Sequence, residues 1–216
     1  MKTILLKDAA ALIPDGASVM IGGFMGVGTP ERLVDELVRQ GKRNLTVIAN
    51  DNALPGIGIG KLISAGVVKK TIASHIGLNP ETQKKMLAGE LEVDLVPQGT
   101  LIERIRAGGF GLGGVLTSTG VGTVVEKGKQ RIEVDGKPYL LETALRADFA
   151  LVDAFFADYI GNLYYALTAR NFNPVIAMAA DTVIAEAQNI VPVGVISPDN
   201  VKTPGVLVTH ILERAL

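Results

Sequence analysis

The sequence predicts an α/β fold: an open, mostly parallel sheet with flanking helices and a small antiparallel β excursion. Three observations carry this. Apolar runs of strand length alternate with helical stretches through the first half of the chain, which is the rhythm of right-handed βαβ crossovers. The 216 residues are 48% hydrophobic but only 5% aromatic, so small aliphatic side chains fill the core, as strands buried on both faces require. The middle of the chain breaks the rhythm with short runs separated by Asp135-Gly136, a strong hairpin signal. A chain of this length buries a core without staples. It has no linker, repeat or low-complexity stretch, so one domain over 1–216 is expected.

The elements follow in order. Ser18-Val19-Met20-Ile21 reads as a buried strand. Gly22-Gly23-Phe24-Met25-Gly26-Val27-Gly28-Thr29-Pro30 is a glycine loop, and an amphipathic helix over 31–40 ends at Gly41. Thr29 is expected to cap that helix, with Pro30 at its first position, where no N–H is needed. Glycines let a ligand approach the backbone, and free N–H groups at a helix start favour an anion. A phosphorylated or carboxylated molecule is therefore expected near 24–30. A second strand is placed at 45–49, a short helix at 61–65 and a third strand at 67–73, whose Lys69 and Lys70 read as a solvated end. Asn79-Pro80-Glu81 opens a helix that Gly89 closes. A fourth strand spans 91–96 and a helix 101–107, with Arg104 and Arg106 read as its surface or a subunit contact.

Short strands at 124–125, 131–134 and 139–141 make the expected antiparallel meander. A buried strand returns at 149–152, and Tyr164 and Tyr165 read as core and its edge. Asn173-Pro174 opens a helix over 175–180. A late strand follows at 182–185, then turns at Pro198-Asp199 and Pro204-Gly205 and an apolar run over 206–212.

Composition excludes several functions. Lys plus Arg is 21 and Asp plus Glu 22, a net charge of −1. No basic field exists to hold nucleic acid or a membrane surface. There are no cysteines, which removes disulfides, a thiol nucleophile and Cys-based metal sites. The two histidines, His75 and His210, lie far apart in sequence and argue against a zinc site or a serine triad. Neither a metal nor a bound cofactor is expected. The apolar N-terminal run over 1–12 is broken by Lys7 and Asp8. It does not read as a signal peptide, and no 18-residue apolar stretch spans a membrane. A cytoplasmic location is the default expectation.

Chemistry is expected at the carboxyl ends of the strands, which line the ligand crevice of a parallel sheet. Asn50-Asp51-Asn52 ends the second strand and Pro97-Gln98-Gly99-Thr100 the fourth. A glycine-rich segment over 108–114 precedes Thr117-Ser118-Thr119-Gly120-Val121-Gly122-Thr123. The first loop, Asn50, Asp51 and Gln98 should meet at one rim, with His75 a further candidate to line it. Each alone is ordinarily a satisfied turn. Gly23-x-x-Gly26-x-Gly28 followed by Asp51 also permits a dinucleotide site in an oxidoreductase. The standard glycine order is absent, and so is an evident acid–base group. A non-enzymatic effector-binding α/β protein is the third reading.

The same residues resemble family I CoA-transferases. Gly22-Gly23-Phe24 followed by Gly28 and Pro30 matches the pattern G-G-F-x-x-x-G-x-P. The likeness continues through Ala73-Ser74-His75-Ile76-Gly77-Leu78-Asn79-Pro80-Glu81 and from Pro97-Gln98-Gly99-Thr100 to Gly108-Gly109. It persists in Thr119-Gly120-Val121-Gly122-Thr123 and in Ala169-Arg170-Asn171-Phe172-Asn173-Pro174. It covers most of the chain and is nearest to α subunits of the acetate, acetoacetate and butyrate class. The resemblance implies CoA transfer from an acyl-CoA to a short-chain acid, ping-pong, through a glutamyl anhydride and a glutamyl-CoA thioester. It implies that the nucleophilic glutamate lies in a Ser-Glu-Asn-Gly motif of a β partner, in an α2β2 assembly. That motif is absent here, so no catalytic nucleophile is expected in this chain. Asn50-Asp51-Asn52 stands in its place, and Asp51, one methylene shorter, is expected to be structural or pocket-lining. Phe24, Met25, Gly26, Val27, Gly28, Thr29 and Pro30 match the stretch implicated in CoA binding. Gln98 matches a glutamine facing the reacting carbonyl. Ser118 departs from a common proline, and the resemblance gives Arg170 no role.

Overall fold

A computed structural model describes residues 2–212. In chain order the elements are β1 (Lys2–Ile4), α1 (Leu6–Ala11), β2 (Ser18–Ile21), α2 (Glu31–Arg39), β3 (Leu45–Asp51), α3 (Ile59–Ser64), β4 (Val68–His75), α4 (Pro80–Leu87) and β5 (Glu92–Leu95). There follow α5 (Gln98–Gly109), β6 (Gly114–Thr117), β7 (Arg131–Val134), β8 (Lys137–Thr143), β9 (Ala147–Asp158), β10 (Leu163–Tyr164), α6 (Asn173–Ile176), β11 (Ala180–Val191) and β12 (His210–Leu212).

The main sheet runs β1-β12-β11-β9-β2-β3-β4-β5, every neighbouring pair parallel, with β10 antiparallel on β9. Alternate residues of each strand point to opposite faces. Met20, Ile48 and Ile72 join Leu101, Ile105 and Ile176 on one side. Val19, Ile21, Val47 and Ala49 join Leu33, Leu37, Leu62 and Ile63 on the other. Both faces are therefore covered by helices, which is why the central strands read as unbroken apolar runs. Strand order reverses at β2 and β9: β3, β4 and β5 extend one way, β11, β12 and β1 the other. Such a switch point opens a crevice at the strands' carboxyl ends.

The second sheet, β6-β8-β7, is antiparallel. Its hairpin turns at Asp135 and Gly136, with φ of 50° and 70°, the left-handed pair a two-residue type I′ turn needs. Its third strand is not at 124–125 as the sequence reading has it. Val124–Glu126 is a 3₁₀ turn, started by the Thr123 hydroxyl accepting from the Val125 N–H at 3.2 Å. The third strand is β6, inside the segment read as loop. Gly114 opens it because a Cβ there would stand 2.4 Å from the Glu142 carbonyl oxygen.

Other boundaries move for physical reasons. α5 starts at Gln98 and runs through Gly108 and Gly109, where added Cβ atoms would meet the Leu145 carbonyl oxygen at 2.3 Å and Met178 at 2.7 Å. Those glycines permit close helix packing rather than a loop. α6 is a single turn, and the helix expected over 175–180 gives way to β11 at Ala180. β9 and β11 are 12 residues each, far beyond their apolar centres. Asp153, Asp158 and Glu186 sit inside them and interrupt the hydrophobic signal. β1 and α1 form from the broken N-terminal run. The last apolar run divides into a 3₁₀ turn over Gly205–Leu207 and β12.

Candidate functional site

The glycine loop leaves β2 with the Gly22 N–H donating to the Leu151 carbonyl of β9 at 3.0 Å. Its tip closes on itself: the Phe24 N–H donates to the Val27 carbonyl at 3.0 Å and the Val27 N–H returns to Phe24 at 2.9 Å. Segment 169–173 packs directly against the loop. A Cβ on Gly22 would stand 1.9 Å from Asn173 Oδ1, and one on Gly28 2.5 Å from the Ala169 carbonyl oxygen. Asn171 Nδ2 donates to the Val27 carbonyl at 2.9 Å, and its Oδ1 accepts from the Gly23 N–H at 3.1 Å. Asn173, fully buried, donates from Nδ2 to the Gly28 and Ala169 carbonyls at 2.9 and 2.8 Å. Its Oδ1 accepts from the Asp153 N–H at 3.1 Å. The two asparagines clamp the loop, a role the sequence reading did not assign them.

The helix start is arranged differently from expectation. Pro30, not Thr29, is the N-cap of α2, and no side chain of the loop caps it. Instead Glu186 reaches across from β11, accepting from the Leu33 N–H at 3.0 Å and the Arg32 N–H at 3.2 Å. The anion that a helix N-terminus favours is thus a carboxylate of this chain. Glu186 lies beside Asp153 on the neighbouring strand. Burial, with the charges of Glu186 and Glu31, pushes the Asp153 carboxyl up to about 7. Burial also raises Glu186, while the N–H donors of Leu33 and Arg32 oppose the rise.

Asp51, at the end of β3, is 5% exposed and fully engaged. Its Oδ1 accepts from the Ala53 N–H at 2.7 Å, and its Oδ2 from Asn50 Nδ2 at 2.9 Å. The Met25 N–H is shared between the two oxygens at 3.2 and 3.1 Å. A ribose-binding acid needs free lone pairs, and this one has spent them on the loop. Asn50 carries the chain of bonds onward: its Oδ1 accepts from Gln98 Nε2 at 2.6 Å. Ser74 Oγ donates to the Asn50 carbonyl at 2.6 Å and holds the strand end.

Gln98, Asn50 and Phe24 open onto a cavity of about 590 Å³. One wall is the face of α5 that bears Ile102, Arg106 and Phe110. The facing wall is built from residues of the stretch 170–178. Arg106, read from the sequence as helix surface or a subunit contact, is half exposed and lines the cavity. Arg170 and Lys202 line it too. Of the nominated residues, Met25, Gly26, Val27, Gly28, Thr29, Pro30 and Asp51 lie outside the lining, behind Phe24 and Asn50. His75 ends β4 as the register neighbour of Asp51. It is exposed on the same rim, outside the cavity, with its ring against Gly77. Among the described residues no cluster of three His, Asp or Glu side chains could hold a metal, and no helix is long and apolar enough to cross a membrane.

Residues 3–214 match the family model described as Coenzyme A transferase. The chain is 57% identical over 211 residues to acetate CoA-transferase subunit alpha of Escherichia coli K12, covering 98% of this chain and 96% of that one. It is 53% identical over 213 residues to the acetoacetyl-CoA:acetate/butyrate CoA transferase alpha subunit of Clostridium acetobutylicum, covering 99% and 98%. An acyl-CoA transferase of Escherichia coli O157:H7, solved as a thioester complex with CoA, shares the fold with a TM-score of 0.87 at 24% identity; the match covers 99% of this chain and 47% of that one. The loop, the sheet and the ordered motifs thus have one common source, and the chain belongs to the coenzyme A transferase family.

Proposed function

We propose that this chain is the α subunit of a short-chain acyl-CoA:carboxylate CoA-transferase of the acetate, acetoacetate or butyrate class, working with a β subunit as α2β2 in the cytoplasm. The observation that carries this is the bonded chain Gln98–Asn50–Asp51–Met25, which joins the glycine loop to a cavity yet leaves no free carboxylate in its lining. A site of this form positions and stabilises, and needs its nucleophile from elsewhere. The likeness to α subunits and to half of a longer single-chain enzyme fits a partner that supplies it.

In this reading a glutamate carboxylate of the β subunit attacks the thioester carbonyl. The C–S bond breaks, CoA leaves as thiolate, and an acyl-glutamyl anhydride remains. The thiolate then attacks the glutamyl carbonyl, releasing the acid and forming a glutamyl-CoA thioester. The acceptor carboxylate runs the sequence backwards. Each addition puts negative charge on a carbonyl oxygen. A primary amide nitrogen has two N–H donors. Asn50 holds one of those on Gln98, which fixes the amide plane and aims the other at that oxygen. The packed loop and the partner exclude water from the anhydride. CoA is substrate here, and no resident cofactor or metal takes part.

The test is CoA transfer from acetoacetyl-CoA to acetate by the chain purified with its partner, before and after the partner is stripped. Activity lost on stripping and restored on recombination is expected. Activity retained by the lone chain would place the nucleophile here, Asp51 first.

A further inference from the structure

We propose that Asp51 is a positioning residue for the transfer reaction. Acting through Asn50, its carboxylate fixes the direction of the hydrogen bonds that end at Gln98, so that Gln98 meets the reacting carbonyl as a donor. This rests on the CoA-transferase reading above and gives a role to a residue that does not itself line the cavity.

The direction follows from what each group can do. A carboxylate accepts hydrogen bonds and donates none. Three donors converge on that of Asp51: the Met25 N–H, the Ala53 N–H and Asn50 Nδ2. Asn50 must turn its nitrogen to Asp51 Oδ2, at 2.9 Å. An amide carries donor and acceptor at separate corners, so the Asn50 oxygen is left to face Gln98. Gln98 must answer with Nε2, at 2.6 Å. Reversing any one link sets donor against donor or acceptor against acceptor. Asn50 and Asp51 are 1% and 5% exposed, so water does not repair such a mismatch.

The backbone is shaped to this carboxylate. Met25 and Ala53 both take a φ of 50°, in the left-handed region that residues other than glycine seldom enter. Both give their N–H to Asp51, one from the glycine loop and one from the turn after β3. Ser74 Oγ donates to the Asn50 carbonyl at 2.6 Å and steadies the same strand end. Gln98, exposed at the start of α5, is the free end of the chain of bonds.

Asp51→Asn keeps the shape and removes the fixed direction. The new amide can turn its oxygen to the Met25 and Ala53 N–H groups and its nitrogen to Asn50. Asn50 then turns over, its nitrogen meets Gln98, and Gln98 presents its oxygen there, with its own nitrogen carried to the opposite corner. The bonds survive in reverse. The swap Asn50→Asp with Asp51→Asn undoes this. The carboxylate, moved one residue along the chain, accepts from the new amide on one oxygen and from Gln98 Nε2 on the other. Net charge, bonds and the donor at Gln98 are all kept.

The experiment measures transfer from acetoacetyl-CoA to acetate by the intact complex with its β partner. Asp51→Asn should lower kcat by about tenfold or more while both KM values stay within about twofold, the mark of an interaction made in the transition state. In a Gln98→Ala background the same substitution should change nothing further, because it acts through that amide. The swap should bring kcat back to within about threefold of wild type. An unchanged kcat in Asp51→Asn, a further loss in the Gln98→Ala background, or a swap no faster than Asp51→Asn overturns the proposal. If Asp51→Asn does not assemble with the partner, the swap decides: a kcat near wild type supports the proposal, and one as low as that of Gln98→Ala overturns it. A readout without turnover separates this from the reading it rests on. With isotope-labelled glutamine in the chain, the Gln98 side-chain amide is identified in magnetic resonance spectra by its loss in Gln98→Ala. One of its hydrogens should be shifted and slow to exchange; Asp51→Asn should abolish this and the swap restore it. That pattern in a complex without transfer activity upholds the direction of the bonds and sinks the CoA-transferase reading. Its absence from the wild type overturns the proposal.

Discussion

Gln98 sits where a side chain must choose between structure and chemistry. One of its amide hydrogens is committed to Asn50 at 2.6 Å, and the residue lines the cavity. Gln98→Ala should lower kcat about a hundredfold with the complex intact on gel filtration, the scale at which a single oxyanion donor acts. An unchanged kcat would remove that role. Its place was legible because a polar residue at the end of a parallel strand can only look into the crevice. Asn171 and Asn173 were visible as a motif and silent as to use. Their partners in the glycine loop lie 144 and 145 residues away in sequence, and no local pattern encodes so distant a contact. That Arg106 borders the cavity was not legible for a related reason: the amphipathic pattern marks the face of a helix that is dry, not which part of the wet face is concave.

Among the elements, α2 shows what patterning reaches and what it misses. Leu33, Val34 and Leu37 are buried at the spacing of one helical stripe, so the helix was legible. Its cap was not, because Glu186 comes from a strand more than 150 residues later. Local turn chemistry named Thr29, and tertiary structure overruled it. The same burial governs a pH response. The Asp153 carboxyl titrates near 7 when folded and near its ordinary 3.8 when unfolded. Between those values the folded state holds a proton that the unfolded state has released, so stability falls as pH rises through this window. Asp153→Asn cannot ionise. Its Tm should exceed that of the wild type at pH 8 and approach it near pH 4.5, as read by thermal melts. A gap equal at both pH values would show that Asp153 does not titrate there. The hairpin was legible from Asp135-Gly136 alone, since few sequences tolerate two left-handed residues in succession.

For the molecule as a whole, the parallel sheet was legible from its rhythm, and its strand order was not. Composition fixes that strands are buried on both faces, yet which strand lies beside β2 depends on where the chain returns after its antiparallel excursion. β9 carries that return: it pairs with both β2 and β11, and so joins the two halves of the sheet. Both apolar layers pack on these shared strands. Unfolding should therefore be one cooperative event, with coincident transitions by far-UV dichroism and tyrosine fluorescence. Amides of β2, β9 and β11 should exchange slowest. Two separated transitions would divide the chain into two units. The pairing of β1 carries a consequence for biosynthesis. Among the described strands its one neighbour in the sheet is β12, so Lys2–Ile4 finds its place only after His210–Leu212 has been made. β2 likewise waits for β9 on one side. A growing chain therefore exposes unpaired strand edges for most of its translation, and β1 is secured only once β12 exists.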